Sequence, residues 1–177
     1  MRIERPDRDP DLRFEVVGQP KTAGSKDPHA HVMDDGSVKM WVSDQSGDAG
    51  RAWRGVIGYA ANAAMRGRSI YDGPLYIEFT VVRKRGPGHF GTGRNAGKLL
   101  PSAPAFPATK PDTTKLTRAL EDALTGIVWT DDSRNVVVRA EKVYAEPGEA
   151  TGAQVRVWEL PATVGTRQPV EQLALSA

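Results

Sequence analysis

The stretch from residue 83 to residue 111 constrains this chain most. It holds Gly86, Gly88, Gly91, Gly93 and Gly97 together with Pro87, Pro101, Pro104, Pro107 and Pro111. Glycine weakens helices and strands through backbone entropy, and proline removes a backbone donor. Regular structure must therefore collect on either side of a long connection. Connections of this length are functional or disordered. The same segment carries Arg83, Lys84, Arg85, Arg94, Lys98 and Lys110, with no acid between Glu78 and Asp112. Cations without interspersed carboxylates form the electrostatic footprint of a nucleic-acid binder. A merely solvated loop is the other reading of that composition. Phe90 offers a ring for base stacking or for packing on its own domain.

On the near side, Leu12–Val17 alternates and reads as a strand, closed by the turn signal Gly18-Gln-Pro20. Residues 21–37 are polar and read as a loop. Val38–Val42 reads as a short strand, and Asp34-Asp-Gly36 before it suggests a hairpin turn. Ser43 or Asp44 can cap the helix that follows. Its stripe is Trp53, Val56, Ile57, Ala60, Ala61, Ala64 and Met65, with Gly67 as a stop. Leu75–Val82 alternates as a third strand.

On the far side, Asp112 or Thr113 can cap a helix that runs to about Leu124, with Gly126 past its end. Leu116, Ala119, Leu120 and Ala123 share one side of it. Thr114, Arg118, Glu121 and Asp122 share the other. Ile127–Trp129 is a short apolar run, and Thr130–Ser133 turns. Val136–Tyr144 and Gln154–Trp158 read as the last strands. The expected fold is α+β, one mixed sheet with two helices against it. Residues 1–11 read as a flexible solvated arm, 12–160 as one domain, and 161–177 as a tail.

Composition narrows the chemistry. The 177 residues suit a single domain, and 39% hydrophobic with 26% charged residues is ordinary for a globular chain. With no cysteine, a disulfide framework, a thiolate metal site and a Cys nucleophile are all excluded. Only His29, His31 and His89 are present, and they read as surface loop residues without a role. The N-terminus has seven charges in eleven residues and no apolar core of a signal peptide. No apolar run approaches the roughly 20 residues of a membrane span. A cytoplasmic protein is the expectation.

Carboxylates bracket the second helix: Asp112 opens it, and Asp131 and Asp132 follow it. Such hard oxygen donors suit Mg²⁺ or Mn²⁺. The same residues also make sense without chemistry, Asp112 as an N-cap and Asp131-Asp-Ser133 as a turn. A helix of about 12 residues is roughly 18 Å long, so the chain must fold back for Asp132 to approach Asp112.

Lys110-Pro-Asp-Thr-Thr-Lys-Leu through Asp122-Ala-Leu-Thr-Gly126, then Asp131-Asp132 and Lys142-Val-Tyr144, resembles the signature of RusA-type Holliday-junction resolvases. Phe14–Lys21 and the loop Pro87–Asn95 are similar to other parts of that family. The resemblance spans about residues 12–160. It implies a homodimeric, Mg²⁺-dependent endodeoxyribonuclease that binds four-way DNA junctions and nicks two strands symmetrically, with Mn²⁺ as a substitute metal. It places the catalytic and metal-binding carboxylates on Asp112 and Asp132 and the catalytic basic residue on Arg118; Asp131, beside Asp132, is read as a further metal ligand or its neighbour. DNA binding is expected on the cations of the acid-free loop, Arg83, Lys84, Arg85, Arg94, Lys98 and Lys110, with Lys115 at the helix start. The sequence departs from the family at Thr114, where a ligand Asp is usual. A neutral hydroxyl is a poorer ligand. Three arrangements answer this: Glu121 two turns along the same helix face, Asp131 drawn into the site, or a branched-DNA binder that cuts weakly or not at all. A nuclease acting on flaps or RNA and a protein with no nucleic-acid role are the remaining alternatives.

Overall fold

The computed structural model describes residues 3–24, 26–44 and 47–163. Four strands form the main sheet: β1 (Leu12–Val17), β4 (Leu75–Arg83), β5 (Asn135–Tyr144) and β6 (Gly152–Glu159), ordered β1-β6-β4-β5. Only β4 and β5 run parallel. Parallel neighbours need a crossover, and here it is the long loop and helix α2 (Thr113–Leu124). Helix α1 (Gly47–Ala64) packs beside α2 on the same sheet face. The expected α+β class, with a mixed sheet and two helices, is what the chain adopts.

The core lies between that face and the helices. Leu12, Phe14 and Val16 alternate inward from β1, joining Val155, Val157, Ile77, Phe79 and Val81. Trp53, Ile57 and Ala61 come from α1, and Leu116, Leu120 and Leu124 from α2. The 3.6-residue spacing of each set is what turns one helix face inward.

A second sheet pairs β2 (Lys26–Val32) with β3 (Val38–Asp44). This corrects two expectations. Residues 26–32 are strand, not loop. Ser43 and Asp44, expected as helix caps, lie in β3, and the two residues between β3 and α1 lie outside the described residues. The expected turn is present: Met33 N–H donates to Ser37 O at 2.8 Å, with Gly36 at φ +82°.

The described part of the N-terminal arm, residues 3–11, makes contacts on the other sheet face. Trp158 Nε1 donates to Arg8 O at 2.9 Å, Arg5 pairs with Glu78 at 3.2 Å, and the Arg5 guanidinium lies over the Trp158 ring at 5.2 Å. The fully buried Trp158 supplies the reason, because its indole N–H needs an acceptor and the arm provides one. Of the expected tail 161–177, residues 164–177 lie outside the described residues.

Candidate functional site

A cleft of about 780 Å³ runs along α2. Thr113, Thr114, Thr117, Arg118, Glu121 and Asp122 line it from the helix, Val138 and Ala140 from β5, and Asp132 from the turn before β5. The polar helix side expected from the sequence is therefore the cleft wall. Leu116 and Leu120 on the opposite side bury the helix and fix which way the polar side faces.

Local chemistry places each end. Asp112 sits at the N-cap position with extended backbone (φ −69°, ψ 143°), but its carboxylate makes no cap hydrogen bond. Its carbonyl accepts the Leu116 N–H at 3.2 Å. Before it, the Lys110–Pro111 peptide is cis. Lys142 Nζ donates to Thr109 O at 2.8 Å and Pro111 O at 3.0 Å, and an Arg83 guanidinium N–H donates to Thr109 O at 3.3 Å.

The other end is built by the chain that returns from α2. Gly126 adopts φ +79°, a left-handed conformation that stops the helix. Trp129 is then fully buried, and its Nε1 donates to Thr125 Oγ1 at 3.0 Å. Thr130 Oγ1 donates to Asp72 Oδ1 at 2.6 Å, and Arg134 pairs with Asp72 at 3.0 Å. Asp72 thus bonds the segment on both sides of Asp131 and Asp132. The Thr130 hydroxyl, then the Arg134 charge, hold its carboxyl below the usual range. Nothing in the sequence around Asp72 signals this.

Asp131 accepts the Ser133 N–H at 2.9 Å. Hydrogen bonds from Ser133 lower its pKa, with help from Arg134. It does not line the cleft. Asp132 does, and its charge is felt by Glu121. Burial, ahead of the neighbouring Asp132 and Asp122 charges, raises the Glu121 carboxyl, while Asn135 opposes the shift. Asn135 Nδ2 donates to Glu121 Oε1 at 3.1 Å. Asn135 is a site residue that sequence reasoning misses. Arg118 pairs loosely with Asp122 at 3.9 Å, which leaves its guanidinium open to the cleft.

The two principal carboxylates stand apart. Asp132 neighbours Glu121, which lies about 13 Å along the helix from Asp112 at 1.5 Å per residue. Among the described residues no three acidic or imidazole groups converge as a metal would require. The donor chemistry, all hard oxygen, suits Mg²⁺, which binds through one or two carboxylates plus waters and phosphate. Asp132 lines the cleft, whereas Asp112, at the start of α2, is not among the residues that line it.

The basic loop is ordered by its own contacts. Bridges join Phe90 to Leu99 and Gly91 to Ala96. A Cβ at Gly91 would lie 2.6 Å from Asn95 O, so glycine permits that close approach. Two loop cations have protein partners. Arg83 bonds Thr109 O, while Arg85 bonds Pro104 O at 3.0 Å and lies 4.5 Å over the Tyr144 ring. Lys84, Arg94, Lys98 and Lys110, with Lys115 at the helix start, make no ion pair or side-chain hydrogen bond among the described residues. His89 packs edge-on against Tyr144 at 5.1 Å.

Among the described residues, no helix is long and apolar enough to cross a membrane. A search of the curated proteins finds no match. The Endodeoxyribonuclease RusA family matches residues 18–157, which takes in β4, β5 and most of β6, the basic loop and the whole α2 cleft. The chain belongs to the RusA family of endodeoxyribonucleases, phosphodiester hydrolases that resolve Holliday junctions.

Proposed function

We propose that this protein acts in the cytoplasm as a homodimer that binds four-way DNA junctions and resolves them by paired symmetric nicks, with Mg²⁺ as cofactor and Mn²⁺ able to replace it. The observation that carries this reading is the α2 cleft, acidic along its wall, on the helix into which the basic loop leads, a loop whose cations are partly unpaired among the described residues. The loop attracts and holds phosphate backbones, a sequence-independent attraction. Lys84 and the other open loop cations hold the substrate, and the chemistry falls to the cleft.

In the cleft, Arg118 meets the non-bridging oxygens of the scissile phosphate and offsets charge as it builds. Asp112 and Asp132 are the residues that would hold the cation, with Asp131 oriented by Ser133 as their neighbour. Held there, a divalent cation would supply Lewis acidity toward the phosphate and toward the attacking water. The placement of Asp112 and Asp132 toward opposite ends of α2 fits the dimer, in which a second copy can bring an Asp132 to each Asp112. Two-fold symmetry then presents two such sites to a roughly two-fold substrate.

The test is cleavage of a synthetic four-way junction in Mg²⁺ and in Mn²⁺, beside a linear duplex and beside Asp132→Asn. Symmetric nicks on the junction alone, lost in the variant while binding persists, support the reading. Tight junction binding with no nicks in either metal overturns it in favour of a branched-DNA binder, with Thr114 as the cause.

A further inference from the structure

We infer that Lys142 is a positioning residue that fixes Asp112 by clamping the backbone before it, with Arg83 as the second jaw. The inference rests on the reading of Asp112 given above. Its ground is the place Lys142 occupies. In the sheet register, Lys142 pairs with Val81 on β4, and Val81 pairs with Ala153 on β6. Both are buried in the core beneath the helices. An aliphatic side chain would extend that row. Lys142 is half-buried there, and its ammonium takes its acceptors from the protein, since a donor shielded from water without an acceptor is costly.

Its partners are two carbonyls, Thr109 O at 2.8 Å and Pro111 O at 3.0 Å, and no carboxylate pairs with it among the described residues. The two carbonyls flank Lys110, and the second belongs to the residue immediately before Asp112. Arg83, two positions along β4 from Val81, donates to the same Thr109 O at 3.3 Å. Two neighbouring strands therefore reach under the chain and hold it at the point where α2 begins. The Asp112 carboxylate has no cap bond to its own helix, so backbone placement is what aims it. Lys142 holds that backbone without spending the Asp112 charge in an ion pair. Arg83 on this account serves the clamp and not the DNA.

The test compares Lys142→Met, whose apolar side chain suits the row, with Lys142→Arg, which keeps the charge and the donors. Amide exchange is read at Leu116, whose N–H bonds Asp112 O, and at Leu120 and Leu124 further along. For Lys142→Met the Leu116 amide should exchange about tenfold faster, the scale of one lost charge-assisted hydrogen bond, with Leu120 and Leu124 unchanged. Junction cleavage should lose kcat at unchanged junction Kd and salt dependence, and Lys142→Arg should restore part of both. Unchanged exchange at Leu116 overturns the clamp. Faster exchange with wild-type kcat overturns its positioning role. A wild-type protein that nicks no junction counts against the proposed function alone, because the exchange experiment still decides the clamp.

Discussion

The six loop cations divide into two groups, and the division predicts how DNA binding responds to salt. Arg83 and Arg85 donate to backbone carbonyls, and Arg85 also lies on Tyr144. Lys84, Arg94, Lys98 and Lys110 have no such commitments among the described residues. Each phosphate neutralised on duplex DNA contributes about 0.9 to the slope of log K against log salt, so removing four contacts lowers it by up to about 3.6. Between about 50 and 200 mM salt, a slope of that size is worth roughly 2 log units of affinity. The perturbation is a variant with Lys84, Arg94, Lys98 and Lys110 all changed to Gln, set beside Arg83→Gln with Arg85→Gln. The assay is junction binding by fluorescence anisotropy over a salt series, in Ca²⁺ or EDTA so that no cutting intrudes. The quadruple variant should flatten the slope by about 2 to 4, on the order of the counterion-release value. The double variant should leave the slope within about one contact of wild type, or about 0.9. A double variant that flattens the slope as much as the quadruple one would refute the division, and with it the use of side-chain partners to sort the loop.

Glu121→Gln should stabilise the protein at neutral pH but not in acid. Its carboxyl is raised in the folded state, so the stability linked to it is complete below its unfolded pKa and lost as pH rises through the folded value; thermal melts from about pH 4 to 7 should show the variant's advantage appear over that window. Asp72→Asn should act in the opposite sense, because a lowered carboxyl contributes stability above its unfolded pKa that is lost as pH falls through the folded one; the variant's deficit in melting temperature should vanish in strong acid. Leu120→Ala, at a site 1% exposed beneath the cleft wall, should cost about 2–5 kcal/mol in chemical denaturation, and a cost under about 1 kcal/mol would mean that α2 is not seated as described. Thr114→Asp should raise Mg²⁺ affinity, read by calorimetry, and junction cleavage with it; no change in either would show that position 114 does not face the metal.

What is legible in the sequence is whatever carries its own period. Leu12–Val17 and Thr113–Leu124 each repeat apolar residues at the spacing of the element they form, because each buries one side in a shared core. The strand Lys26–Val32 escapes such a reading. It contains Pro28, His29 and His31, and its described side chains from Pro28 onward are exposed, so no burial imposes a pattern. The contacts of the arm escape for a different reason: they depend on the Trp158 indole, 150 positions away in the chain. The acids of the site are legible by type, and the side of α2 that faces the cleft is legible by angle. Their spacing in the fold is not. It depends on where the chain comes to rest after Gly126, which is decided by the burial of Trp129 and the bonds of Asp72.

The separation of the two ends changes what Glu121 can compensate. Thr114 lies two residues from Asp112, at the end of the cleft that Lys142 and Arg83 hold. Glu121 lies seven residues further, about 10 Å along the helix, beside Asp132 and Asn135. It therefore adds an acid to the end that already has Asp122 and Asp132, not to the end where Thr114 stands. Its cost is visible in the raised Glu121 carboxyl, which burial and the charges of Asp132 and Asp122 both disfavour as an anion. A cation arriving at that end would relieve the repulsion, whereas at the Asp112 end it would find one carboxylate and a hydroxyl. The two ends thus differ in their appetite for positive charge, and the proposed dimer would set the richer end of one copy against the poorer end of the other.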